Sequence, residues 1–227
     1  MKVLVSLSGG MDSATVLGLV KSQGHYIKTV GFTYGSKHNA IENEAARKIA
    51  EFYSVPFQLI DLSSIMASFK SDLLLSGGKI PEGHYEEASM KQTVVPGRNI
   101  IFSAILAGIA MSEGLEVVYL GVHAGDHAVY PDCRPKFVEA MRMAILAGTE
   151  TVDLGAPFLH DTKVEILKYG YALNPPVPYH LTRTCYTDQE TACGLCGACQ
   201  ERLSAYKTIG KEDPIPYMNR ELLPKKS

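Results

Sequence analysis

The stretch that most constrains this chain is "LSGGMDSATVLGLV", residues 7–20, which follows directly on the β-branched run "KVLVSL" at 2–7. An apolar strand, two glycines and an apolar helix in immediate succession define a strand–loop–helix unit. Gly9 and Gly10 can take positive φ and let an anion approach the backbone amides with no Cβ in the way. The helix that follows presents unpaired N–H groups and the positive end of its dipole. Ser8 and Ser13 add hydroxyl donors, so the unit reads as a phosphate cradle spanning Leu7, Ser8, Gly9, Gly10, Met11, Asp12, Ser13, Ala14, Thr15, Val16 and Leu17. It is neither GxxxxGK[ST] nor GxGxxG. Asp12 is the odd member, because a carboxylate and a phosphate at one helix end repel each other unless a cation lies between them. Mg²⁺ bridging Asp12 and the phosphates is one reading, and a carboxylate on the helix dipole is the other.

Four further apolar runs follow: "IKTVGFTY" (27–34), "FQLIDL" (57–62), "EVVYLGV" (116–122) and "VDLGAPF" (152–158). They are nearly continuous rather than alternating, as strands buried on both faces are. Helix-period stretches lie between them. In "NAIENEAARKIAEFYS" (39–54), Ile41, Ala45, Ile49 and Tyr53 form one stripe, with Glu42, Glu44, Lys48 and Glu51 away from it. The others end at Gly24, Gly114 and Gly148. This alternation predicts an α/β fold with a parallel sheet, helices on both faces, and ligand bound beyond the carboxyl ends of the strands.

Two stretches break the rhythm. Residues 63–97 are too long for a passive turn and are expected to serve as a lid, a substrate loop or a dimer contact. From "LNPPVPYH" (173–180) onward, proline ends the α/β pattern. The expected organisation is a nucleotide-binding α/β domain over 1–172 and a C-terminal metal-binding segment over 173–227.

Net charge is −2, from 22 Lys+Arg against 24 Asp+Glu, and no basic block is present. A polyanion such as tRNA is therefore not an expected partner. No run approaches the roughly 20 uninterrupted apolar residues of a spanning helix. The loop follows the first strand too closely for a signal peptide's apolar region. The expected location is cytoplasmic, with no membrane partner. Cysteines there are not a disulfide framework. Cys185, Cys193, Cys196 and Cys199 follow C-x7-C-x2-C-x2-C. Thiolates two residues apart can turn back onto one ion, with Gly194 and Gly197 supplying the turns. Four sulfurs describe a closed structural zinc site, with an iron–sulfur cluster as the rival. Cys133 stands apart and reads as a small buried residue.

"SGGMDS" (8–13) resembles the PP-loop of the ATP pyrophosphatases, which cleave ATP between its α and β phosphates. Together with "VPGRN" (95–99), "GVHAGDHAVYPDCRPKF" (121–137), "TKVEIL" (162–167) and the "TCY…CGLCGAC" tail, the chain resembles the 7-cyano-7-deazaguanine synthase family from residue 3 to about 206. The resemblance implies an adenine-nucleotide alpha hydrolase-like core, with ATP, Mg²⁺ and zinc. It implies an ATP-dependent C–N ligase that turns 7-carboxy-7-deazaguanine and ammonia into a nitrile through an adenylated carboxylate and an amide. A homodimer is implied too. The family's usual GVN or GVC reads "GVHAGDH" here, which puts His123 and His127 either in the pocket or in the fold.

Catalytic roles are expected at Asp12, Arg98, Lys163 and Asp126, and substrate contacts at Asn99, Tyr130, Asp132 and Arg134. Arg98 opens a helix and could fork onto a phosphate or carboxylate, or lie on the surface. "TKVE" is a capping-box pattern that puts Lys163 in a first helical turn, where a cation is disfavoured. A neighbouring phosphate, or simple exposure, would remove that penalty. Asp126 and Asp132 flank the end of the fourth strand and are expected to read a guanine-like N–H edge or hold metal, with helix capping an equal reading for Asp132. Two rival functions share the loop. tRNA thiolation needs a basic RNA surface that a charge of −2 does not offer. A nucleotide sensor without turnover would leave Lys163 and Arg98 without a purpose.

Overall fold

The computed structural model describes residues 1–83 and 88–223. Five strands, β1 (Lys2–Ser6), β2 (Tyr26–Thr33), β3 (Phe57–Asp61), β4 (Val117–Tyr119) and β5 (Asp153–Gly155), form one parallel sheet in the order β3-β2-β1-β4-β5. The most continuous apolar run takes the centre: Val3 pairs with Ile27 on one side and Val117 on the other. The chain winds outward from β1 in both directions, so a crevice opens beyond the carboxyl end of β1, where the first loop lies.

Among the described residues the α-helices are α1 (Met11–Ser22), α2 (Asn39–Phe52), α3 (Ser63–Met66), α4 (Arg98–Glu113), α5 (Pro135–Thr149), α6 (Lys163–Ala172) and α7 (Gly197–Thr208). Side chains alternate across a strand, and β1 shows it. Val3 and Val5 pack with α1, α2 and α6 through Leu17, Ile49 and Ile166. Leu4 faces the opposite cluster with Leu106 of α4 and Val138 of α5. Tyr179 and Tyr206 share the α1–α6 cluster, so the C-terminal segment is packed into the same core.

Several boundaries differ from expectation. β4 and β5 are three residues each, because the chain leaves the sheet early to build the crevice wall. β3 is an edge strand with Gln58, Leu59 and Asp61 exposed, not a strand buried on both faces. Gly24 and Gly114 take positive φ at the ends of α1 and α4, as expected. Gly148 instead stays inside α5, and Glu150 closes that helix at φ 60°.

The connection 63–97 is packed down on the body, with Met66, Leu73, Leu74, Met90 and Val95 in the same cluster as α4. Residues 84–87 of "SGGKIPEGHYEE" lie outside the described residues. Lys37 ties this segment to the turn after β2, donating to the carbonyls of Asp72 (2.7 Å) and Gly77 (3.3 Å) and to that of Gly78. One stretch, Ser89–Glu113, is long and apolar enough to cross a membrane by length and composition. Its Leu106, Ala107 and Ala110 are buried against the body.

Behind α7, Arg202 and Asp213 form a fully buried bidentate pair, Nε–Oδ2 2.7 Å and Nη2–Oδ1 2.9 Å. Arg202 also donates to Thr182 Oγ1 at 2.7 Å, and Tyr217 OH donates to Asp213 Oδ2 at 2.7 Å. Each charge thus has the partners that burial demands.

Candidate active site

Gly9 adopts φ +87°, and a Cβ there would stand 2.3 Å from the Glu42 carbonyl oxygen. Gly10 has φ −76° as the N-cap of α1, so only the first of the two glycines takes the positive φ expected of both. No side chain caps α1. Its free amides are the donors an anion needs. The loop hydroxyls bond to each other meanwhile, Ser8 Oγ and Ser13 Oγ lying 3.0 Å apart. Gly121, past the end of β4, lets the wall close on the loop: a Cβ there would stand 2.8 Å from the Ser13 nitrogen.

Leu7, Ser8, Gly10, Met11, Asp12 and Ser13 line the crevice. Ala14, Val16 and Leu17 point the other way, into the core, and Thr15 Oγ1 donates to the Met11 carbonyl and meets Tyr179 OH at 2.9 Å. Those four hold the helix rather than face a ligand.

The capping box at α6 is formed, with Thr162 Oγ1 accepting from the Glu165 N–H and Glu165 Oε2 accepting from the Thr162 N–H. It delivers Lys163 into the crevice. Lys163 Nζ donates to Asp12 Oδ2 at 2.6 Å and lies 3.3 Å from Glu201 Oε2 of α7. The unfavourable first-turn cation is thus offset by two carboxylates. Burial opposes the Lys163 charge, but Asp12, Glu201 and Asp126 around it raise the ammonium's pKa. Burial likewise works against the Asp12 charge, and Lys163 and His123 outweigh it to hold the carboxyl low. Glu201 goes the other way, raised by burial despite Lys163.

His123 is 1% exposed and has its Nδ1 accepting from the Gly125 N–H at 3.0 Å. In the neutral ring the proton therefore sits on Nε2. That atom has no hydrogen-bond partner, and it lies 3.5 Å from Asp126 Oδ1, 3.8 Å from Glu201 Oε1 and 3.9 Å from Asp12 Oδ2. Asp12 Oδ1 is buried without a partner as well. Three carboxylates against one lysine, beside a phosphate cradle, leave room for a cation. His123 is buried behind the lining carboxylates rather than lining the crevice itself, and His127 contributes its backbone carbonyl to Arg134.

Arg98, first residue of α4, is inside the crevice and not on the surface. Its guanidinium lies 5.9 Å from the rings of both Tyr34 and Tyr130 and donates to Tyr34 OH at 3.3 Å. Tyr130 OH meets Thr93 Oγ1 at 3.0 Å and Tyr186 OH at 3.2 Å. Asp132 Oδ2 accepts from the Asn99 N–H at 2.9 Å, which makes it a cap of α4. Asn99 lines the crevice and donates through Nδ2 to the Asp132 carbonyl and to Cys133 Sγ. Cys133 is buried, and burial raises its thiol. Arg134 is exposed, donates to the His127 carbonyl at 2.9 Å, and stands apart from the residues lining the crevice.

The lining residues that went unread in the sequence include Tyr34, His38, Glu42, Arg183, Tyr186 and Glu201. Glu42 corrects an expectation, since it sits off the apolar stripe yet faces the crevice and not solvent. The signal was available: "YGSKHNAIE" follows the carboxyl end of β2, where parallel sheets bind ligands. Arg183 and Glu201 carried no such mark; the fold-back of the tail brings them in, with the Arg183 N–H donating to the Gly9 carbonyl at 2.8 Å.

The Sγ atoms of Cys185, Cys193, Cys196 and Cys199 all lie within 4.8 Å of one another. Cys196 is the N-cap of α7 and Cys199 lies in its first turn. Hydrogen bonds from Cys193, Cys196 and Cys199 draw the Cys185 thiol down. Four convergent sulfurs fit a structural metal such as zinc, which would fix the helix that carries Glu201.

A parallel sheet that reverses at β1, a glycine loop at its carboxyl end and a lysine–aspartate pair over that loop define a PP-loop nucleotide-binding α/β protein. The chain belongs to the queuosine biosynthesis protein QueC family, whose profile matches residues 2–210. It is 46% identical over 218 residues to the 7-cyano-7-deazaguanine synthase of Caldicellulosiruptor saccharolyticus, covering 96% of each chain. It is 45% identical over 217 residues to the enzyme of that name from Pseudoalteromonas atlantica, covering 95% of this chain and 98% of that one. Among solved structures it is similar in fold to the U34-tRNA thiolase NcsA from Methanococcus maripaludis, described with its [4Fe-4S] cluster. That likeness has a TM-score of 0.50 at 15% identity and covers 92% of this chain and 65% of the thiolase. It extends to the fold alone, whereas the sequence relatives carry the synthase name, so thiolation is not favoured.

Proposed function

We propose that this chain converts 7-carboxy-7-deazaguanine, ammonia and ATP into 7-cyano-7-deazaguanine, AMP and pyrophosphate. The observation that carries the reading is the meeting of Lys163, Asp12 and the glycine loop in one crevice with Arg98 and Asn99. Carboxylate oxygens are poor leaving groups, so ammonia alone does not displace them. One carboxylate oxygen attacks the α-phosphorus, the bond to the β-phosphate oxygen breaks and pyrophosphate leaves. Ammonia then adds to the acyl carbon, AMP departs with the carboxyl oxygen, and the amide remains. A second ATP activates the amide oxygen in the same way. Loss of that oxygen with AMP, and of both amide protons, leaves the nitrile.

The chain's own contribution is positioning and charge. The free amides of α1, with Ser8 and Ser13, cradle the phosphates. Lys163 stands at the cradle as the fixed cation that meets charge developing on the leaving pyrophosphate. Arg98 offers its fork to the substrate carboxylate or to phosphate. Asp126 lines the cation side, with His123 buried behind it. The unpartnered Asp12 Oδ1 would hold Mg²⁺, whose chemistry is to neutralise phosphate charge. Zinc on the four cysteines has a structural part. Asn99 and Tyr130 line the substrate region, with Asp132 behind Asn99, while Arg134 stays on the surface. The chain acts as a cytoplasmic homodimer with a small-molecule substrate and no nucleic acid, residues 173–227 being the metal segment of a 1–172 core.

Incubation of the purified protein with ATP, ammonium and 7-carboxy-7-deazaguanine tests this reading. Mass spectrometry should find the nitrile and AMP. AMP release that needs tRNA, or none of the nitrile, would defeat it.

A further inference from the structure

Glu42 has no part in the phosphate machinery, yet it is largely buried and faces the crevice from the first turn of α2. Among the described residues its carboxylate meets one partner, the His38 imidazole, at 3.3 Å from Nε2 to Oε2. His38 is itself 2% exposed. Burial pushes the Glu42 carboxyl up to about 8 even with Arg98 and Arg183 nearby to pull it down. A carboxyl so withdrawn from water keeps its proton until a ligand supplies donors to both oxygens, because such donors favour the ionised form. The neighbourhood is aromatic: Tyr34, Phe102 and Tyr186 line the same crevice, with Tyr34 and Phe102 edge to face at 5.5 Å and His38 5.5 Å from Tyr186. Such rings suit a flat heterocycle.

Two heterocycles enter this crevice under the proposed function. Adenine presents one amino donor beside a ring-nitrogen acceptor, and that acceptor's lone pair repels a carboxylate. A 7-deazaguanine presents two adjacent donors, the N1–H and the 2-amino group, which match the two oxygens of one carboxylate. We infer that Glu42, backed by His38, is the residue that reads the N1–H and 2-amino edge of the deazaguanine and so sets the enzyme's base specificity. The inference rests on the synthase reading and adds to it a recognition residue outside every motif that carries the resemblance.

The test compares binding of 7-carboxy-7-deazaguanine and of its analogue lacking the 2-amino group, by titration calorimetry, to the metal-loaded wild type, Glu42→Gln and Glu42→Asp. Loss of one good bidentate contact corresponds to roughly 5- to 150-fold. The wild type should bind the parent tighter by that margin. Glu42→Gln should weaken the parent and bring the two ligands within about threefold of each other, leaving the KM for ATP unchanged. Glu42→Asp keeps the charge and should restore part of the preference, which also covers the case in which the glutamine variant folds poorly. Undiminished preference in Glu42→Gln would overturn the inference and leave Glu42 as a brace for His38. A raised KM for ATP with unchanged preference would also overturn it, by assigning Glu42 to the nucleotide. A wild type that binds ATP and neither deazaguanine would remove the synthase reading itself, and the wild-type titration alone reveals that outcome.

Discussion

Lys163 Nζ and Asp12 Oδ2 lie 2.6 Å apart across 151 residues of sequence, joining the first turn of α6 to the first turn of α1. The contact ties a buried cation of the crevice to the first turn of the loop's helix, with Glu201 as its second anchor at 3.3 Å. Lys163→Met keeps the stem and removes the charge. It should lower kcat for AMP formation by about 10²–10³-fold, the usual cost of one preorganised charge-stabilising group. A stopped assay for AMP measures it, and wild-type kcat would remove Lys163 from the chemistry.

The two glycines of the loop should respond unequally. Gly9→Ala forces a Cβ to 2.3 Å from the Glu42 carbonyl at φ +87°. The left-handed backbone alone costs about 1–2 kcal/mol. At Gly10 the Cβ would find only ordinary contacts, 3.4 Å from Ser8 Oγ, at φ −76°. Urea denaturation should show Gly9→Ala well below wild type and Gly10→Ala within about 1 kcal/mol of it.

The metal cluster should matter to catalysis through α7. Cys196→Ser, or extraction of the metal by a strong chelator, loosens the helix whose Glu201 holds Lys163. Thermal stability and AMP formation should fall together, and elemental analysis of the intact protein should return one zinc per chain. Iron with visible absorbance in place of zinc would replace the metal assignment.

Asp213→Asn leaves the fully buried Arg202 guanidinium without its counter-charge. Breaking such a pair from one side costs about 3–5 kcal/mol. Chemical denaturation of the variant checks it, and a loss under 1 kcal/mol would mean water reaches the pair.

A pH signature follows from Glu42. Burial raises its carboxyl to about 8 from an ordinary 4.5, so the folded chain keeps a proton that the unfolded chain releases. That contribution to stability is complete below about pH 4.5 and is lost as the pH rises through about 8. Glu42→Gln cannot titrate, so its stability should decline less steeply over this window than the wild type's. Parallel curves for the two proteins would show that Glu42 titrates normally.

Much of this molecule was legible before any coordinates. Short, nearly continuous β-branched runs against longer glycine-terminated stretches separate "KVLVSL" from "SATVLGLVKSQG" without help. The phosphate loop was legible because glycine, serine and a helix start are local events, and so was the capping box that carries Lys163. Four cysteines at short spacing announced their own convergence.

Other features depended on what came to lie nearby. Glu42 looks like any solvent-facing glutamate on an amphipathic helix, and only the approach of its turn to Gly9 and Arg183 gives it a crevice to face. Arg134 sits in a motif and ends at the surface, while Glu201 sits in a tail helix and ends beside Lys163. Local sequence determines which conformation a segment adopts, because backbone sterics and nearest-neighbour periodicity act within a few residues. Which side chains are drawn out of water together was decided by the tertiary structure, since burial and charge pairing act through space between residues the chain holds far apart.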